Sequence, residues 1–231
     1  MEATTLNNTT QNNVKHWQQR LLFPHKSLSL IDNQSVENLA VQVFISERFN
    51  DAFGAEIQHF LPYFLASHMD NMIDSAIGFQ PVPHQKLFLE QYLSQPVEQT
   101  LKLHGIHTQR SDMVEIGNLA ASFNSGSPLL FILLAAVLHQ ANYQWVVFTA
   151  TRQVRHLIGR LQLSTLTLGA ADPRLLIDKT QQWGSYYHHQ PVVLAGHLPT
   201  AIEHLQQHHV IQSLLETHKD FVQNTARMIG K

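Results

Sequence analysis

Apolar residues run along the chain in short blocks cut by polar turns, and the period changes from block to block. In LAVQVFISERF the alternation of Val41, Val43 and Ile45, with Val36, Leu39 or Phe44 for the other face, predicts a strand. Leu61 to Ser67 predicts a second, with Pro62 at its start, where a missing N–H is tolerated. Asp70 and Asn71 then form a reverse turn between Met69 and Met72, and IDSAIGFQPV returns as the partner of an antiparallel hairpin. In FLEQYL, read as extended, Glu90 and Tyr92 share a face, with Glu98 close in sequence. Helical spacing begins at Val97, Leu101 and His104, with Pro96 at the entry and Gly105 at the exit.

The middle of the chain is more regular. DMVEIGNLA predicts a strand, SFNSGSP a loop, and Leu129 to Gln140 a helix apolar nearly all round and therefore buried. YQWVVFTAT is the next strand, and RQVRHLIGRLQL a short helix with Val154, Leu157, Ile158 and Leu161 inward. Strand, helix, strand, helix in that order places the two strands side by side and nearly parallel. LSTLTLGAADP and PVVLAGHL supply two more strands around the aromatic loop QQWGSYYHHQ. From Thr200 an amphipathic helix or two follows, with Ile202, Leu205, Val210, Leu214 and Leu215 for the buried side. The expected organisation is a polar arm over residues 1–34, an α/β domain over 35–198 and a helical extension over 199–231; no internal repeat is visible.

Composition narrows the function classes. Of 231 residues, 44% are hydrophobic and 14% charged, against roughly 25% charged in an average soluble domain, so the chain reads as globular with a real core. Fifteen Lys and Arg against 17 acidic residues, with no basic run, argue against a nucleic-acid partner. With no cysteine, disulfides, thiol nucleophiles and thiolate metal sites are excluded. The N-terminal stretch does not read as a secretory signal, and Pro128 to Leu138 is far shorter than the about 20 residues of a membrane helix; a cytoplasmic location is expected. Sixteen histidines include His188 with His189 and His204 with His208, but without HExxH or a carboxylate cluster they read as surface residues, and no metal is expected.

FGA at Phe53 to Ala55, LFLEQYL with PVE at Leu87 to Glu98, VEIGNLA at Val114 to Ala120, FTAT at Phe148 to Thr151, and WGSYY with PVV at Trp183 to Val193 resemble, in that order, the thermostable hemolysin family. The order of elements is similar to the GNAT acyltransferase fold, a mixed central sheet with flanking helices, and to acyl-homoserine-lactone synthases, whose fourth strand likewise carries a glutamate. The resemblance implies acyl transfer from a thioester, either acyl-CoA or an acyl carrier protein, to a small amine or lipid substrate; the family name implies lysis of red cells. In such a fold the loop after the fourth strand holds the phosphates of the carrier, which here is Ser122, Phe123, Asn124, Ser125, Gly126 and Ser127. The superfamily pattern falls on Phe123, Gly126 and Pro128, and only the glycine matches, so coenzyme A and carrier protein stay equal candidates. The same loop also reads as an ordinary strand-to-helix connection capped by Ser125 or Ser127.

Glu115 is the candidate base: a carboxylate within an apolar strand has its pKa raised and accepts a proton from an amine. Its alternative is a structural pair with Arg110 or Arg152. Tyr92, Tyr186 and Tyr187 are equivalent candidates for protonating the leaving thiolate, and each also reads as a packed aromatic. Glu90, Asn118, Thr149, Thr151 and Arg152 are candidate substrate contacts, with Asn118 alternatively fixing a loop. A rival function is a membrane-active toxin with peripheral contact through the C-terminal helix, lying on the bilayer apolar side down.

Overall fold

A computed structural model describes residues 26–82, 86–122, 127–178 and 182–230. Seven strands form one mixed sheet: β1 (Ser27–Ile31), β2 (Tyr63–Met69), β3 (Met72–Pro81), β4 (Met113–Ala121), β5 (Trp145–Ala150), β6 (Leu166–Ala170) and β7 (Val192–His197), in the order β1-β2-β3-β4-β5-β7-β6. The pair β4 and β5 is parallel, and every other neighbouring pair is antiparallel. The predicted hairpin is β2–β3, and both turn residues, Asp70 and Asn71, take the positive φ that a tight hairpin requires.

The first predicted strand is a helix. Helix α1 (Asn38–Phe53) buries Val41 and Ile45 completely and leaves Val43 exposed. The period that decides it is four: Val41, Ile45, Phe49 and Phe53 descend one face, and Gly54 closes the helix in the left-handed conformation. The local preference of β-branched residues for strands gave way to this longer apolar stripe. FLEQYL is not extended either; Phe88–Tyr92 is a 3-10 turn. Helix α2 (Val97–Leu103) lies where the spacing placed it.

Helix α3 (Ser127–Gln140) is the central core element, with every residue from Leu129 to Leu138 buried. It lies against one face of the sheet, where Leu65, Ile77, Phe79, Val114, Ile116, Val146 and Phe148 meet it. Helix α4 (Arg152–Arg160) follows β5, its first turn capped by the Thr151 hydroxyl accepting from the Val154 N–H. The chain from Leu198 forms α5 (Leu198–Leu205), α6 (His209–Thr217) and α7 (Lys219–Ile229). Ile202, Leu205, Ile211, Leu214, Val222, Ala226 and Ile229 pack into the α3 cluster, so the apolar side predicted for this region faces protein. Tyr143 Oη donates to the Ile229 carbonyl at 3.2 Å, tying the end of α7 to the turn after α3.

The opposite face of the sheet is covered by α1 over β2, β3 and β4, and by the Phe88–Tyr92 turn with α2 over β4, β5 and β7.

Candidate functional site

The parallel strands β4 and β5 pair only from Met113 with Trp145 to Ile116 with Phe148. Beyond that point β4 stays with β3 and β5 stays with β7, so the sheet opens between them. A bulge in β4 accompanies the opening: Gly78 faces Gly117 but Ala76 faces Ala120, leaving one residue too many on β4, and Asn118 takes φ 49°. The Asn118 side chain accepts from the Leu61 N–H at 2.9 Å and donates to the His59 carbonyl at 3.1 Å. Asn118 thus fixes the loop before β2, one of the two roles its sequence position suggested. A side chain on Gly117 would press on Leu61 at 3.1 Å.

A cleft of about 660 Å³ occupies the opening. One wall is α1 and the aromatic segment after β6, with Arg48, Phe49, Phe53, Trp183 and Tyr186. The far wall is α3, β5 and α4, with Phe131, Phe148, Val154, Leu157 and, toward solvent, Gln153, His156 and Arg160. Thr149, Thr151, Asn118, Ser122 and Pro128 also line it. Phe123, Asn124, Ser125 and Gly126 lie outside the described residues, as does the side chain of Ser127, so the anion-loop reading stays an expectation.

Glu115 stands on the cleft with 4% of its surface exposed. Its carboxylate accepts the backbone N–H groups of Leu89 at 3.0 Å and Phe88 at 3.2 Å, both from the 3-10 turn. Burial pushes its carboxyl up to about 7, against the opposing pull of those two amides. A carboxyl poised there exchanges a proton readily near neutrality.

The guanidinium of Arg110 sits on different carboxylates, reaching Glu90 at 2.6 and 2.9 Å and Glu98 at 2.7 Å. Glu90 faces away from the cleft: it is 7% exposed and also accepts the Leu87 and Val97 N–H groups, both at 2.9 Å. Burial disfavours its charge, but Arg110 and the two amides outweigh burial and hold its carboxyl below the usual value. In the predicted extended strand Glu90 shared a face with Tyr92; the 3-10 turn separates them and makes Glu90 the bolt that holds the turn under Glu115. Arg110→Met is therefore expected to cost about 3 kcal/mol in urea unfolding, because it strands a buried carboxylate.

Two of the three tyrosines meet the cleft. Tyr92 lines it and is hydrogen-bonded to Tyr187 through their hydroxyls at 2.6 Å; Tyr186 lines it within a ring cluster of Phe49, Phe53 and Trp183. Burial raises the phenol of Tyr92, with the Tyr187 hydroxyl adding to it; burial also raises that of Tyr186 and pushes that of Tyr187 up to about 12. All three are neutral donors at physiological pH. Tyr187 reaches the site through Tyr92. Arg152 is exposed on the first turn of α4 and is not among the cleft-lining residues. Among the described residues no group of histidines and carboxylates is arranged to hold a metal, and no helix is long and apolar enough to cross a membrane.

Sequence reading missed Arg48, His59, Trp183 and the α4 face of Gln153, His156 and Arg160. The last three had a signal, since residues 153, 156 and 160 share one helical face with Val154 and Leu157.

Comparison with solved structures finds the same fold in acyl-homoserine lactone synthases and an N-acyl amino acid synthase. FeeM, described as an N-acyl amino acid synthase from uncultured soil microbes, superposes with a TM-score of 0.57 at 13% identity, covering 83% of this chain and 99% of FeeM. The AHL synthase LasI gives 0.51 at 15% identity, covering 75% and 90%. BjaI, a CoA-dependent acyl-homoserine lactone synthase solved with SAM and isopentyl-CoA, gives 0.50 at 9%, covering 79% and 88%. At such identities the likeness establishes the fold, which is the GNAT-like acyltransferase architecture. A search of curated proteins found no match. The sequence profile of thermostable hemolysins matches residues 31–202, a span running from the end of β1 into α5 and enclosing the glutamate strand, the open cleft and the aromatic wall, and the chain therefore belongs to the thermostable hemolysin family.

Proposed function

We propose that this protein is an N-acyltransferase that joins the acyl group of a thioester to an amine, with Glu115 as the proton acceptor. The observation that carries the reading is a buried carboxyl brought near 7 on a cleft where two parallel strands separate. The amine nitrogen attacks the thioester carbonyl carbon, and the C–N bond forms. The proton released from nitrogen passes to Glu115, the tetrahedral intermediate collapses, the C–S bond breaks, and the thiolate leaves as its own thiol after taking up a proton.

The tyrosines contribute differently from a strong acid. A phenol that burial has raised above its ordinary value, already near 10, transfers its proton to a thiolate only uphill, since an ordinary thiol lies near 8.5. Tyr92 therefore acts as a hydrogen-bond donor to sulfur or to the carbonyl oxygen, oriented by Tyr187. Tyr92→Phe is expected to lower kcat by roughly 10- to 100-fold with little change in acyl-donor binding, measured by steady-state kinetics.

Acyl-CoA and acyl carrier protein are both retained as donors, and Ile116, Leu119, Phe131, Phe148, Val154 and Leu157 offer the chain an apolar berth. Purified protein incubated with acyl-CoAs of increasing length, or with acylated carrier protein, and a panel of amines should yield amides by mass spectrometry. Failure to bind any thioester would sink the proposal. Hemolysis then arises through the product, since an acylated amine is a surfactant. Expressing cells should lose hemolysis on Glu115→Gln, and hemolysis that survives the substitution separates lysis from this site.

A further inference from the structure

Acyl transfer ends with a thiolate that must gain a proton, and the raised phenols of the cleft are too weak as acids to give it. Imidazole is the side chain best matched to that task. Among the described residues two histidines line the cleft: His156 on the exposed side of α4, and His59 in the segment before β2. His59 is fixed at two points. Its backbone carbonyl accepts from the Asn118 side chain at 3.1 Å, at the bulge where β4 parts from β5. Its ring stacks on that of Phe88, with centroids 5.1 Å and planes 22° apart. Phe88 in turn donates its backbone N–H to the Glu115 carboxylate at 3.2 Å. The imidazole therefore stands beside the turn that holds the base, at the point where the strands open, and His59 is exposed to solvent where Glu115 is not.

We infer, resting on the acyl-transfer reading of this same site, that His59 is the acid of the reaction, taking up the proton that Glu115 has accepted and delivering it to the departing sulfur. The proton of the attacking amine, once on Glu115, moves to a ring nitrogen of His59 within hydrogen-bond reach or through one water. As the C–S bond breaks, its electron pair stays on sulfur, which takes a proton from the imidazolium and leaves as a thiol. One proton departs from the amine and one arrives at sulfur, so both side chains return to their starting states. The acidities are ordered for this traffic. Burial of the stacked ring lowers His59 from its usual 6.5, so it is neutral at rest. Transfer from a carboxyl near 7 is then modestly uphill, and transfer onward to a thiol near 8.5 is downhill.

The test compares leaving groups. Single-turnover transfer to the amine that the panel selects is measured for the full-length parent and His59→Gln, once from an acyl-CoA and once from the S-phenyl thioester of the same acid. An aryl thiolate is a far better leaving group and departs without a proton. His59→Gln should slow transfer from acyl-CoA roughly 10²-fold, the low end of what a positioned proton donor supplies. Transfer from the S-phenyl thioester should be nearly unchanged, and added imidazole should restore much of the acyl-CoA rate. The bond from Asn118 is to the backbone of residue 59 and survives the substitution, so the urea midpoint should stay with the parent. Equal slowing with both thioesters, slowing that imidazole does not relieve, or an unchanged acyl-CoA rate would each overturn the assignment. A parent that transfers from neither thioester removes the acyltransferase and the role of His59 with it; an active parent matched by its variant removes the role of His59 alone.

Discussion

Glu115→Gln is expected to fold, bind the acyl donor and lose about 10²- to 10⁴-fold in kcat, the range that general-base catalysis supplies. The amide keeps the shape of the carboxylate and an oxygen to accept one of the Leu89 and Phe88 N–H groups, but it cannot take the proton of the attacking amine. The parent's rate should rise with pH and level off above about 7, where the carboxyl ionises, and that limb should vanish in the variant. An unchanged rate and pH profile would remove Glu115 from the chemistry. Stability moves the other way. A carboxyl held at about 7 in the folded chain and near 4.5 in the unfolded one binds more protons when folded, so the parent loses stability as pH rises from 4.5 through 7. The cost, complete above that window, is about 3 kcal/mol at 1.36 kcal/mol per pKa unit. In urea unfolding the variant should therefore gain on the parent at pH 8, with the gain shrinking toward pH 4.5. A site whose parent residue is less stable than its neutral copy is one held for function.

Gly184→Ala is expected to cost more than about 4 kcal/mol and to dismantle the aromatic wall. Gly184 has φ 49°, a conformation open to glycine, and a Cβ placed there would overlap the carbonyl oxygen of Phe53 and the backbone of Gly54. The approach is tight because the segment is fastened to the end of α1: Ser185 donates to the Phe53 carbonyl from its backbone N–H at 2.7 Å, and Glu56 bridges Gln182. Phe53, Trp183 and Tyr186 meet through this junction. The variant should show a depressed urea midpoint and a lowered rate of acyl transfer together. A protein as stable as the parent would mean that the junction yields at little cost.

The βαβα unit could be read from the sequence because its signals are local and agree with one another. Glu115 announced itself as the one charge in an apolar strand, and α3 as an apolar run too long for a strand and too short for a membrane. Helix α1 was misread because Val41 and Ile45, four apart, fit both periods and Val43 between them completes a strand-like alternation; only the continuation through Phe49 and Phe53 to Gly54 separates the two readings. The turn at Glu90 was out of reach, since its shape depends on Arg110, twenty residues away. Arg48, His59 and Trp183 come from three separate segments that meet only once the sheet has opened. No spacing along the chain encodes that convergence.

The three C-terminal helices form the roof of α3, and a chain cut at Thr200 would lose Ile202, Leu205, Ile211, Leu214, Val222 and Ile229 from over an almost wholly apolar rod. Such a stump would stick to lipid whatever the intact protein does. Vesicle leakage caused by the truncated form would thus report an unroofed interior, and the informative reagent for membrane work is the intact chain with its terminus pinned through Tyr143.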